Sequence, residues 1–250
     1  MMKFFQNIFK GSANEEMIDS LSTIGVDMHS HILPGLDDGS ENVESSLELI
    51  KAMKSLGYHK LIMTPHIMSD FYRNTPEGIR ASLKLLQDAV KEAGIEMELA
   101  CAAEHYLDEA FLEKLENDEE LLCLKDNYLL FETSFLNEPL NLREAIFRMQ
   151  AKGYKPVLAH PERYTYFYGK FNDLIDLREH GVLLQINLNS LTGYYSPGAK
   201  AIAERLIDNG LVDMVGSDVH GLKHTGALQR VFSSRHLQKV LALPLLNSKL

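Results

Sequence analysis

Residues 27–39 read DMHSHILPGLDDG, a run that sets two histidines, three aspartates and two glycines against the end of a short apolar stretch. Alternate side chains of an extended strand share a face, so His29 and His31 are expected to point the same way. Pro34 and Gly35 mark a turn, after which Asp37 and Asp38 return towards the strand end. Charge placed beside a buried strand is costly unless it is paired or neutralised by a cation.

The same pattern recurs along the chain. Apolar runs at 24–28, 61–64, 97–102, 128–131, 156–159, 183–186 and 214–216 read as seven buried strands. Helical periodicity lies between them at 44–56, 75–94, 141–152, 171–180 and 197–209. Thr75 and Pro76 suit a helix start, and Gly153, Gly181 and Gly210 suit helix stops. Alternating strands and helices predict an α/β fold with a parallel sheet.

Nearly every predicted strand ends in a metal-ligating residue type. His66 follows the second, Glu104 the third, Glu132 the fourth, His160 the fifth, and Asp218 with His220 the seventh. The sixth ends in Asn187 and Asn189. Strand C-termini converge on one face only if the sheet closes, so the pattern predicts a TIM-barrel-like (β/α) barrel over an open sheet. A lone histidine at such a position is more often solvated or hydrogen-bonded than ligating. A crowd of imidazoles and carboxylates at one mouth is different, because it loses solvation and repels unless cations are present. Mixed His/Asp/Glu ligation without cysteine suits manganese, iron or zinc.

Composition narrows the class. The 250 residues are 45% hydrophobic and carry a formal net charge of −10, which disfavours nucleic-acid binding over the surface at large. Cys101 and Cys123 are too few for a disulfide framework and no signal peptide is evident, so a cytoplasmic setting is expected. The sequence divides into an N-terminal extension, residues 1–23, and a single barrel domain, residues 24–250.

HSH, DDG, TPH, AAEH, the strand-terminal Glu132, AHPERY and SDVH resemble, in order, the motifs of the PHP (polymerase and histidinol phosphatase) superfamily. They are most similar to its bacterial tyrosine-protein phosphatases of capsular and exopolysaccharide biosynthesis. The resemblance spans residues 26–221. It implies a distorted seven-stranded barrel holding three divalent metals, usually manganese or iron. One metal would take His29, His31, Glu104 and Asp218; a second would share Glu104 and add Glu132 and His160; the third would take Asp38, His66 and His220. Either Asp37 or Asp38 can be presented by the loop. Four carboxylates against three divalent cations leave the cluster at about +2, which favours an anionic substrate.

The implied reaction is in-line attack of metal-bound hydroxide on a phosphotyrosyl phosphorus, with Arg163 clamping the phosphoryl oxygens. Phenolate, with a pKa of about 10, leaves without strong acid assistance. Some relatives carry a second phosphate-binding arginine after the last motif; here Lys223 or Arg73 is expected to substitute. Phe71, Tyr72, Tyr194 and Tyr195 are candidates for packing the aryl ring. The implied substrate is the phosphorylated tail of a membrane-associated tyrosine autokinase, acted on in trans. The alternative is a PHP-type phosphoesterase for a small molecule such as histidinol phosphate. A non-catalytic scaffold of polysaccharide assembly is the remaining reading, opposed by the full ligand set. Cysteine-dependent phosphatase chemistry is excluded, because Cys101 and Cys123 are followed six positions on by Leu107 and Leu129 rather than arginine. Phe4, Phe5, Ile8 and Phe9 lie at helical spacing in the extension, suggesting packing on the barrel, self-association into a homo-oligomer, or membrane contact.

Overall fold

The computed structural model describes residues 18–250, so the amphipathic pattern at Phe4–Phe9 lies outside the described residues. Within them the seven apolar runs become nine short parallel strands. These are β1 (Val26–Asp27), β2 (Lys60–Met63), β3 (His66–Ile67), β4 (Glu98–Cys101), β5 (Glu104–Tyr106), β6 (Tyr128–Glu132), β7 (Lys155–Ala159), β8 (Leu183–Asn187) and β9 (Met214–Gly216). The second and third runs each break in two. Pro65, which has no N–H for a ladder, separates β2 from β3, and Ala102-Ala103 separates β4 from β5.

Among the described residues eight α-helices alternate with or follow the strands: α1 (Val43–Ser55), α2 (Pro76–Glu92), α3 (Glu109–Glu116), α4 (Leu142–Ala151), α5 (Phe171–Glu179), α6 (Pro197–Asp208), α7 (Leu222–Val231) and α8 (Arg235–Leu241). Five match the periodic segments within about two residues; α3, α7 and α8 were not anticipated. The Thr75 side chain caps α2, accepting from Gly78 N at 3.1 Å. Gly153 and Gly181 end α4 and α5 with φ of 84° and 86°, values that favour glycine.

The strands form two parallel sheets, ordered β1-β2-β4 and β3-β5-β6-β7-β8-β9. Residues alternate along them. Leu129, Phe131, Leu158 and Val215 join the large core that includes the helices. Leu130, Val157, Ala159 and Met214 join a smaller cluster containing no helical residue, against which Leu246 and Leu250 pack. Two such faces are what a sheet covered by helices on one side alone produces.

β1 and β9, at the far ends of the two sheets, are brought side by side. Ser30 and Val219 form an isolated parallel bridge, with His31 N donating to Val219 O at 2.9 Å and Asp218 N to His29 O at 2.8 Å. Buried Asp27 accepts from Ser217 N at 2.8 Å and Ser217 Oγ at 2.7 Å. From the C-terminal segment, buried Asn247 donates to Val26 O at 3.0 Å and Val215 O at 2.7 Å, and accepts from Val215 N at 3.0 Å. Burial pushes the Asp27 carboxyl up to about 6, against the lowering pull of its Ser217 hydrogen bonds. No helix among the described residues is long and apolar enough to cross a membrane.

Candidate active site

Strands and the loops that follow them carry the predicted metal-ligating residues to one place. His29 and His31 have ring centroids 5.4 Å apart. Their Nε2 atoms lie 3.1 Å and 3.4 Å from Glu104 Oε2, and 3.6 Å and 3.5 Å from Asp218 Oδ1. His160 Nε2 lies 2.9 Å from Glu104 Oε1 and 3.9 Å from Glu132 Oε2. His66 Nδ1 faces Glu132 Oε1 at 3.0 Å, while His66 Nε2 and His220 Nε2 face Asp38 Oδ1 at 3.6 Å and 3.4 Å. A cavity of about 380 Å3 opens over Asp38, His66, Glu132, His160, Asp218 and His220 and is bounded also by Tyr72, Phe135, Leu136 and Arg163.

The outer atoms of the cluster are fixed by hydrogen bonds that begin at Asp218. Its Oδ2 accepts from Asn187 Nδ2 at 2.7 Å, Arg163 Nη1 at 2.7 Å and Tyr195 OH at 3.2 Å. Asn187 therefore presents its oxygen to Gln185 Nε2, at 2.9 Å. Gln185 Oε1 is left to accept from His29 Nδ1 at 2.8 Å. A carboxylate that can only accept thus sets both amides and the imidazole, and the lone pair of neutral His29 is aimed inward from Nε2.

Asp37 does the same for His31. Its Oδ2 lies 2.7 Å from His31 Nδ1 and accepts from His66 N at 3.1 Å, while Oδ1 accepts from Gly39 N at 3.0 Å. The Asp37 side chain is wholly buried, whereas that of Asp38 is 53% exposed and faces His66 and His220. The two neighbours thus divide the work, Asp37 orienting a ring and Asp38 facing the cavity. The glycine of DDG is required by the same fold-back, since a Cβ on Gly39 would lie 1.9 Å from His31 O.

Two inner atoms, Glu104 Oε2 and His66 Nδ1, have no hydrogen-bond partner although they are buried. Three imidazole nitrogens approach Glu104 Oε2 within 3.4 Å without a bond. Buried polar atoms are normally satisfied. Donor atoms bound at about 2.1 Å around one cation stand roughly 3.0–3.4 Å apart, so these spacings fit ligands of a shared divalent cation. Burial would lower the His29 imidazole, but Glu104 and Asp218 draw it up to about 9. Burial would likewise raise Asp218, but His220, His31 and His29 hold it well below the usual carboxylate range. A divalent cation in this position replaces the protons those imidazoles otherwise attract. Backbone strain accompanies the geometry, since His160 and Asp218 both have positive φ, 33° and 51°.

Comparison with known proteins adds a family to this geometry. The model of the family described as "Capsular polysaccharide synthesis, CpsB/CapC" matches residues 25–231. The chain belongs to the CpsB/CapC family. The tyrosine-protein phosphatase YwqE of Bacillus subtilis is 32% identical over 202 residues, which cover 79% of this chain and 78% of the relative. The tyrosine-protein phosphatase CpsB of Streptococcus pneumoniae is 27% identical, covering 79% and 83%. A crystal structure from a study of YwqE and CpsB, named there as unique metal-dependent tyrosine phosphatases, matches with a TM-score of 0.75 at 31% identity, over 83% of this chain and 86% of its own.

In this CpsB/CapC chain Arg163 is held in a sandwich, 4.5 Å from the Phe135 ring and 4.3 Å from the Tyr195 ring. Tyr164 behind it is buried and accepts from Thr133 N at 3.2 Å, which ties the AHPERY loop to the end of β6. The other predicted cations are elsewhere. Arg73 donates through Nε to Ser69 O at 2.6 Å and lines a neighbouring cavity. Lys223 is exposed in the first turn of α7 and does not border the site cavity. The reason is local geometry, since the 68–72 hairpin directs Arg73 away and α7 begins immediately after His220.

Of the aromatic candidates, Tyr72 borders the cavity and Tyr195 acts through Arg163 and Asp218. Phe71 is 72% exposed and Tyr194 packs against the His224 ring at 5.0 Å. The reading from sequence passed over Gln185, Asn187 as an orienting group, and Phe135. The first two left a trace, for they lie two apart on one strand face and lead into the same mouth, as His29 and His31 do. Burial drives the Cys123 thiol up to about 12, against nucleophilic use.

Proposed function

We propose that this chain is a metal-dependent protein-tyrosine phosphatase of capsular or exopolysaccharide synthesis. The observation that carries the reading is the convergence of five imidazoles and four carboxylates beside a stacked arginine, with a buried Glu104 oxygen lacking any hydrogen bond. The names of its relatives supply the substrate class.

His29, His31, Glu104 and Asp218 would hold one cation, Glu104, Glu132 and His160 a second, and Asp38, His66 and His220 a third, with manganese the favoured metal. When bound, such cations supply a nucleophile at neutral pH and charge for the phosphoryl oxygens. Arg163, kept flat between two rings, presents its remaining N–H groups to the phosphoryl oxygens and neutralises charge that builds there. Tyr72, Phe135 and Leu136 form apolar walls at the cavity mouth and suit an aryl group. The tyrosyl oxygen leaves as phenolate, which makes a buried general acid unnecessary.

The bridge at Ser30 and Val219, with the Asp27 and Asn247 contacts, supports reading the two sheets as one distorted barrel whose mouth is this site. The substrate in this reading is the phosphorylated tail of a membrane-associated tyrosine autokinase, met in the cytoplasm. Turnover of a phosphotyrosyl peptide should exceed that of histidinol phosphate at equal concentration. The reverse preference contradicts the protein-phosphatase reading and favours a small-molecule phosphoesterase.

A further inference from the structure

Beside the candidate active site lies a second cavity of about 340 Å3, close in size to the first at about 380 Å3. The hairpin after β3 divides them. Met68 and Tyr72 exchange backbone hydrogen bonds of 2.9 Å and 3.0 Å, Tyr72 faces the active-site cavity, and Met68 borders both. Ser69 and Arg73 turn to the other side and line the second cavity.

The chemistry of the second cavity is directional. Ile67, Ala110 and Phe111 supply apolar lining, and Arg73 and Lys114 bring cations to it. The Nε bond from Arg73 to Ser69 O anchors the guanidinium and leaves both terminal nitrogens without a protein partner among the described residues. Lys114 has no carboxylate partner there either. Two acids also line the space, but Asp108 is occupied. It accepts from Ser69 N at 2.9 Å and Phe111 N at 2.8 Å, so both oxygens serve the backbone. In formal charge the two acids balance the two cations, but the Asp108 oxygens are engaged by the backbone and do not pair with Arg73 or Lys114. Apolar lining joined to the unpartnered donors of Arg73 and Lys114 complements an anion carried on an apolar stem.

We propose that this cavity is a specificity subsite for a substrate side chain two residues from the phosphotyrosine, bearing an anionic head, either a glutamate or a second phosphotyrosine. The proposal rests on the phosphatase reading above. In an extended peptide the side chains of residues i and i+2 share a face and stand roughly 7 Å apart, a span suited to crossing one hairpin. The second cavity is large enough for an aromatic side chain, since it nearly equals the one assigned to the phosphotyrosine itself. Arg73 would meet a carboxylate or phosphoryl group through its two terminal nitrogens.

The test is a panel of phosphotyrosyl peptides identical except for Glu, Gln, Lys or phosphotyrosine at −2 or +2, measured as kcat/KM beside a simple aryl phosphate. The wild-type protein should prefer Glu over Lys by roughly tenfold at one of the two positions. Lys114→Glu should reverse that ratio, and Arg73→Glu offers the same reversal from the hairpin should the first variant not fold. Preference for phosphotyrosine over Glu assigns a second phosphoryl group, and equal rates assign a general acidic side chain. Peptides turned over within twofold of one another at both positions, or a ratio unmoved by both variants, would overturn the subsite. Failure to hydrolyse the aryl phosphate and every peptide would instead overturn the phosphatase reading.

Discussion

The two ends of the strand assembly treat buried polarity in opposite ways. At the end closed by the C-terminal segment, Asn247 makes three hydrogen bonds to β1 and β9. At the other end, Glu104 Oε2 and His66 Nδ1 are buried without a hydrogen-bond partner, and His160 and Asp218 hold strained backbone. The first arrangement stabilises the fold by itself. The second is stable only because the surrounding hydrogen bonds over-determine it, and it is suited to groups that bind something else. Polar residues at strand ends therefore have two meanings, told apart by whether their hydrogen bonds close within the protein.

The contrast can be broken most sharply at Glu104. Glu104→Gln keeps the volume but removes the charge facing three imidazoles, and should lower phosphotyrosyl-peptide turnover by roughly 10³-fold or more while circular dichroism still reports a folded protein. Arg163→Lys keeps the charge but loses the stacked planar fork between Phe135 and Tyr195. A fall in kcat of roughly 10²-fold is expected, and turnover near wild type would remove the arginine from the phosphoryl site.

At the closed end the effect should move to stability. Asn247→Ala leaves buried backbone groups of β1 and β9 without partners, at a cost of about 2–4 kcal/mol. A thermal scan should show a melting temperature roughly 5–10 °C lower, with kcat of the folded protein unchanged. Gln185→Leu should sharpen the comparison from the open end. Losing the acceptor that fixes His29 is expected to weaken metal affinity by roughly 10-fold to 100-fold, with activity recovered at high metal concentration. Recovery without added metal would show that the Gln185 contact serves packing alone.

The smallest effect concerns His105, which lies under the second cavity. Burial depresses its imidazole from 6.5 to about 4. The unfolded chain takes up a proton near 6.5 that the folded chain refuses until about 4, so stability from this residue is present at neutral pH and lost as pH falls through that window. Melting curves of His105→Gln should therefore be less sensitive to acidification between pH 6.5 and 4 than those of the wild-type protein.

Much of this was legible in DMHSHILPGLDDG and its counterparts. Strand periodicity placed His29 and His31 on one face, and the helix stops at Gly153 and Gly181 fall where the pattern put them. The division of labour between Asp37 and Asp38 was not legible, because it depends on the close approach of Gly39 to His31 O. Nor was the separation of Arg73 from the cluster, since sequence spacing does not encode which way a hairpin turns its side chains. Gln185 and Asn187 looked like ordinary strand residues because their importance lies in a chain of hydrogen bonds that starts 31 residues further on, at Asp218.

The central claim is that the orphaned donors around Glu104 hold divalent cations used in phosphoryl transfer. Removing metal with a chelator, then restoring manganese stepwise while following bound metal, thermal stability and phosphotyrosyl-peptide turnover together, tests it most directly. Turnover should vanish in the stripped protein and return with metal uptake, and the melting temperature should rise in step. Full activity in protein shown by elemental analysis to be free of metal would contradict the account.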